Sequence, residues 1–336
     1  MEKKYPYKID LAVLILFFCR PTQFEQVFEA VRKARPSRLY LYQDGPRNNR
    51  EDDINGILEC RKIAENIDWE CEVYRLYQEK NYGCDPSEYM AQKWFFGQEE
   101  MGIVLEDDDV PAQSFFPFCK ELLEKYKDDQ RINMICGMNN LESAEWCPYS
   151  YLFTSGGTIW GWASWRRVIE EWEEKIPHLN DNYYVTTFKK RYDNAQTYLD
   201  LYQKNNESGI AHYEAILGAN AWANNRLNIV PQQNLMSSVG ISENSTHSVS
   251  NIKTVPKAIR RLYTMKRFEI DMPLKHPPFI FEDREYVERV NRMMGIGHPF
   301  IRFVRRIESC ILRIRYGDIS WLTKRVKKRN KTDGEK

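Results

Sequence analysis

The first 140 residues alternate between two hydrophobic periods, and that alternation constrains the fold most. Leu11–Phe18 is a continuous apolar run, the pattern of a strand buried on both faces. Phe24, Val27, Phe28 and Val31 then recur at helical spacing across Thr22–Ala34, with Thr22 as the predicted N-cap. Arg38–Gln43 reads as a second strand, broken by Asp44-Gly45-Pro46. Helix 51–66, strand 70–76, helix 87–98, strand 102–105, helix 112–126 and strand 133–137 continue the series. Such a βα alternation predicts an α/β fold with a mostly parallel sheet flanked by helices. After Gly137 the pattern predicts helices over 163–174, 183–204 and 211–224, a strand at 227–230, a polar loop over 231–256 and a helical C-terminal extension. The predicted divisions are 1–140, 141–250 as the second half of the same domain, and a basic extension 251–336.

The fourth predicted strand ends abruptly in Glu106-Asp107-Asp108-Asp109. Four consecutive acids repel one another where a buried strand emerges, so the run calls for a counter-charge. Oxygen ligands suit hard ions such as Mg²⁺ or Mn²⁺, which commonly hold a diphosphate. The alternative is a solvated acidic turn.

In open parallel sheets, ligands bind beyond the C-terminal strand ends. Arg20 follows the first strand, Asp44 the second and the acid run the fourth, so all three fall on one edge. Arg20 can pair with phosphate, and Asp44 can accept from a base or ribose. Neither G-x-G-x-x-G nor G-x-x-x-x-G-K-[ST] occurs, so the glycine cradles of dinucleotide and P-loop sites are missing. A net charge of +1 gives no nucleic-acid signature. The eight cysteines show no C-x-x-C spacing and fit reduced thiols in a cytoplasmic protein.

Taken in order, Arg20, Asp44, Val104-Leu105-Glu106-Asp107-Asp108, Phe115-Phe116, Trp160-Gly161-Trp162-Ala163-Ser164-Trp165 and the segment 234–247 resemble GT-A-fold glycosyltransferases. The spacing is similar to that of the N-acetylglucosaminyltransferase I group and its bacterial, family 2-like relatives in capsule and lipopolysaccharide synthesis. That resemblance implies a GT-A (Rossmann-like) fold and a nucleotide-sugar donor, usually a UDP-sugar, with Mn²⁺ or Mg²⁺. It implies an inverting transfer to a hydroxyl of a glycan acceptor in surface polysaccharide synthesis; attachment through the basic C-terminal tail would bring the enzyme to a lipid-linked acceptor at the inner face of the cytoplasmic membrane. By position, Asp108 would hold the metal, Asp107 and Glu106 the ribose and donor sugar, Asp44 the uracil and Arg20 the nucleotide. Asp109 stands where relatives often lack an acid, so Asp107-x-Asp109 is a competing metal pair.

An inverting transfer needs a carboxylate to take the acceptor proton. The relatives' acid, about eight residues before a Trp, falls at Glu214 ahead of Trp222; the alternative is a surface glutamate. His247 matches a Thr/Ser-His loop element that orders over the donor. Gly156-Gly157 and Trp160-Gly161-Trp162 could floor a sugar site, because flat aromatics stack on sugar C–H faces; ordinary core is the alternative. Two rival functions remain: a sugar-phosphate nucleotidyltransferase, which usually wants a Gly-rich basic loop where this chain has Cys19-Arg20-Pro21-Thr22, and a non-enzymatic membrane-surface carbohydrate-binding protein.

Residues 299–336 carry twelve Lys/Arg against four Asp/Glu. Apolar residues at i, i+3, i+4 and i+7 interleave with arginines there, which predicts a peripheral membrane contact through 299–331 or a helix packed on the domain.

Overall fold

The structure is a computed structural model and describes residues 4–192, 195–240 and 251–316. It has the α/β, Rossmann-like architecture predicted. In chain order the first half runs β1 (Ile9–Phe17), α1 (Pro21–Ala34), β2 (Pro36–Gln43), α2 (Glu51–Ala64), β3 (Glu72–Tyr77), α3 (Cys84–Gln98), β4 (Met101–Glu106), β5 (Asp109–Pro111), α4 (Phe115–Lys125) and β6 (Ile132–Cys136). Then come β7 (Tyr151–Thr154), β8 (Trp162–Trp165), α5 (Arg166–Ile169), α6 (Asn182–Arg191), α7 (Ala195–Ser208), α8 (Tyr213–Ala223), β9 (Leu227–Pro231) and β10 (Met236–Ser238). Helices α9 (Lys257–Arg260), α10 (Arg284–Met294) and α11 (Pro299–Arg315) follow.

Eight strands form one sheet in the order β3-β2-β1-β4-β8-β6-β9-β7. β3, β2, β1 and β4 are mutually parallel, with Leu16 level with Glu106 and with Tyr42. Residues Leu11–Phe17 of β1 are all buried, which explains the unbroken apolar run. Arg20 leaves the end of β1 and Asp44 the end of β2, and the acid run leaves β4, so the parallel register sets all three on one edge.

Several sequence expectations need correction. Helix 163–174 is instead β8 followed by the four-residue α5, because Trp162 and Trp165 are buried in the sheet and β8 runs antiparallel between β4 and β6. The span 183–204 is two helices, α6 and α7. The loop 231–256 contains β10, which pairs with β5. The N-cap of α1 is Arg20 rather than Thr22, since Pro21 supplies the first helical φ.

The chain divides into two compact units, Met1–Gly240 with Met265–Arg289, and Ile241–Thr264 with Val290–Lys336. Within the first, α6, α7 and α8 bury their own aromatic core: Trp222 stacks on Tyr192 at 4.6 Å and meets Tyr198 edge-on at 4.2 Å. No helix among the described residues is long and apolar enough to cross a membrane.

Candidate functional site

The acid run is met by protein donors, and each acid by a different set. Arg20 forks onto Asp107, with its Nη2 on Oδ1 and its Nε 3.3 Å from Oδ2. Its Nη1 lies 3.5 Å from Asp108 Oδ2. Phe18 N–H also donates to Asp107, at 3.3 Å. Burial works to lower the Arg20 pKa, but Asp107 and Asp108 more than offset it and raise it. The arginine therefore supplies much of the counter-charge that the sequence seemed to require of a metal.

Asp109 faces inward and is 1% exposed. Its Oδ2 accepts from Gly161 N–H at 2.7 Å and from Glu106 N–H at 3.4 Å. Gly161 sits at φ +59° with its would-be Cβ 2.0 Å from Met236 Cε, so both conformation and space select glycine there. Burial drives the Asp109 pKa well up, and the Asp108 charge adds to it. Asp108 is the more open acid, with its side chain 18% exposed. Its carbonyl accepts from Val239 N–H at 2.9 Å. A Cβ at Gly240 would lie 1.7 Å from its Oδ2, so only glycine lets this loop approach the carboxylate. Burial raises Asp108 to about 6; Arg20 opposes the shift and Asp107 favours it.

Glu106 turns the other way, toward α3 and α8. Tyr213, the first residue of α8, donates its hydroxyl to Glu106 Oε1 at 3.3 Å. Burial and then Glu88 push the Glu106 pKa well above the ordinary range. Glu88, one turn into α3, accepts from Cys84 Sγ at 3.2 Å. Burial comes first in raising it to about 8; the Cys84 bond opposes this, and Asp85, Glu214 and Asp108 add to it. The Glu214 charge acts on both Glu88 and Tyr213, which places it beside the same group of side chains.

The structure brings together Arg20, Glu106, Asp107, Asp108, Asp109, Gly161 and Glu214. Asp44 is engaged elsewhere on the edge. Its Oδ1 accepts from Gly45 and Tyr82 N–H at 2.9 Å each, and its Oδ2 from Asn81 Nδ2 at 2.8 Å and Gly83 N–H at 3.0 Å. It ties the end of β2 to the start of α3, and so positions Glu88. Trp160 is half-buried next to Gly161. Trp162 is core, packed between Phe96 and Trp172, and the sugar-floor reading is corrected for that ring. Gly157 also serves packing: a Cβ there would lie 2.8 Å from Met134 Cε. His247 lies outside the described residues.

Sequence reading missed Glu88, Cys84 and the hydroxyl of Tyr213. Glu88 in Asp85-Pro86-Ser87-Glu88 looks like an acid at a helix start, and nothing in its spacing points at β4. Among the described residues, no three His, Cys, Asp or Glu side chains converge as a ready metal cage. The donor set still fits an ion that keeps waters and shares itself with a phosphate. Asp108 is open enough to supply one carboxylate, and such ions need only one or two.

Neither family models nor curated proteins match the sequence. Among the solved structures similar in part are the following three. UDP-glucose pyrophosphorylase complexed with UDP-glucose is 11% identical over 67% of this chain and 91% of its own, with a TM-score of 0.34. Inositol-1-phosphate CTP transferase from T. maritima is 8% identical over 77% and 97%, with a TM-score of 0.36. 4-Diphosphocytidyl-2C-methyl-D-erythritol synthase from Anaerococcus prevotii DSM 20548 is 12% identical over 64% and 98%, with a TM-score of 0.29. By name they are a pyrophosphorylase, a CTP transferase and a diphosphocytidyl-methylerythritol synthase, and none is named a glycosyltransferase. None of these names matches the glycosyltransferase expectation or its glycan acceptor, and that reading is set aside as a correction; the names agree instead with the rival reading set out from the sequence. Likenesses this low carry no argument about activity, so the case that follows rests on the site.

Proposed function

We propose that the chain is a nucleotidyltransferase that joins a nucleoside triphosphate to a sugar phosphate and releases pyrophosphate. One observation carries this reading: Arg20 forks onto Asp107 on one side of the site, while on the other Glu106 and Glu88 have a tyrosine hydroxyl and a thiol as partners. Transfer to a hydroxyl needs a base, whereas a phosphate nucleophile already carries its charge at neutral pH and needs none. What it needs is positioning and donors for the charge on the transferring phosphoryl group. Burial pushes Glu88 up to about 8 and Glu106 well above the ordinary range, which favours the protonated, hydrogen-bond-donating form of each.

The roles follow from the geometry. Arg20, at the start of α1, has no acid in the first helical turn beside it, which favours a phosphate there. Asp107 orients the guanidinium. Asp108 would hold a divalent ion together with a substrate phosphate, and such an ion would offset charge on the departing pyrophosphate. Glu106 and Glu88 would donate to ribose, sugar hydroxyl or phosphate oxygens. In the reaction a sugar-phosphate oxygen bonds to the α-phosphorus while the α–β bridging oxygen leaves with the pyrophosphate. The chain lacks a Gly-rich basic loop after β1, so in this reading Arg20 and the ion at Asp108 take its place.

The test is pyrophosphate release from UTP, CTP, ATP, GTP or dTTP with a panel of sugar 1-phosphates and Mg²⁺. Release that requires both substrates and vanishes in Asp108→Asn is expected. No release with any pairing would end the proposal.

A further inference from the structure

Helix α11 presents the reverse of a globular surface helix. None of its residues is buried, and its largest apolar side chains face outward. Phe300 is 75% exposed, Phe303 59%, Ile307 46%, Ile311 58% and Ile314 67%. With Val304 they recur at i, i+3, i+4, i+7, i+11 and i+14, a single stripe about 100° wide at 100° per residue. The opposite face makes the contacts within the second unit. Glu308 accepts from Lys257 N–H at 2.9 Å, and Arg305 donates to the carbonyls of Arg292 and Met293. Leu312 is half-buried. The helix is therefore pinned by one face while the apolar stripe is left outside.

Charge identifies what covers it. Arg306 lies off one edge of the stripe and Arg315 off the other, both exposed. The segment that follows, 317–336, adds seven Lys/Arg against three Asp/Glu in sequence. A second copy of this chain laid stripe to stripe would set rows of arginine against each other. An anionic surface with an apolar interior satisfies both features at once. We propose that α11 docks the protein onto anionic phospholipid membranes, with Phe300, Phe303, Ile307, Ile311 and Ile314 entering the interface and Arg306 and Arg315 meeting headgroups.

The test is co-sedimentation of the full chain with phosphatidylglycerol–phosphatidylcholine vesicles and with pure phosphatidylcholine vesicles. Binding to the anionic vesicles alone, weakened by high salt, is expected. Removing Arg306 and Arg315 together as alanines should lower partitioning about thirtyfold, since each cation near such a surface counts for roughly fivefold. Phe303→Asp with Ile307→Asp should abolish binding without changing the melting temperature, because both side chains are already exposed. Three results would overturn the proposal: no binding to either vesicle, binding unaffected by the paired aspartates, or light scattering that shows a dimer removed by them. The last would make the stripe an interface between copies.

Discussion

The two halves of the carboxylate site hold the same residue types against opposite kinds of partner. Beside β1, Asp107 and Asp108 face Arg20, and the pairing is ionic. Beside α3 and α8, Glu106 and Glu88 act on each other and meet Tyr213 and Cys84, with no cation among their hydrogen-bond partners in the described residues. Glu106 and Asp107 are adjacent in sequence, yet one turns to a hydroxyl and the other to a guanidinium. Position on a strand end, where successive side chains diverge, decides the charge more than residue type does. One half can bind negative charge through Arg20, and the other can donate hydrogen bonds as neutral acid.

The sharpest way to break this contrast is Arg20→Ala. It leaves Asp107, whose side chain is 5% exposed, without its ionic partner. A loss of about 3–5 kcal/mol in unfolding free energy is expected, read by urea denaturation. Adding Asp107→Asn should recover part of that loss, as a neutral side chain no longer needs the guanidinium. Gly161→Ala comes next. Its positive φ and its contact with Met236 disfavour any side chain, and about 1–3 kcal/mol should be lost by the same measurement.

Titration separates the halves without a large change in fold. Asp108 rises from 3.8 to about 6 and Glu88 from 4.5 to about 8 in the folded state. The native protein thus binds more protons than the unfolded chain across those windows, so the ligand-free protein should lose stability as pH rises from about 4 to 8. Thermal unfolding against pH would show it. Glu88→Gln should flatten the decline above pH 6 while changing stability by only about 1 kcal/mol at pH 5. Asp108→Asn should flatten the part below pH 6. Mg²⁺ should raise the wild-type melting temperature most at high pH, where Asp108 is ionised. A melting curve independent of pH between 5 and 8 would contradict the division.

The parallel half of the sheet was legible because β1, β2 and β4 are buried on both faces and write their burial as continuous apolar runs. The edge that gathers Arg20, Asp44 and the acid run follows from that register alone. The second half was harder to read. Trp162-Ala163-Ser164-Trp165 is four residues long and carries no period that separates strand from helix, and its antiparallel insertion between β4 and β6 is set by long-range pairing. Within the site, sequence showed that the acids need a counter-charge but not that Arg20 supplies it. Asp44 was legible as an edge residue, whereas its role as acceptor for the start of α3 depends on the 81–83 loop returning to it. Glu88 was illegible because α3 brings it back to β4 only after packing.

The protonation of Glu88 and Glu106 tests the central claim most directly. In protein labelled with ¹³C at glutamate side-chain carboxyls, assigned by Glu88→Gln and Glu106→Gln, both resonances should have the shift of protonated carboxyl at pH 7. The Glu88 signal should titrate near pH 8. If both carboxyls are ionised at pH 7 and titrate in the ordinary range near 4.5, the site has no neutral half and the account fails.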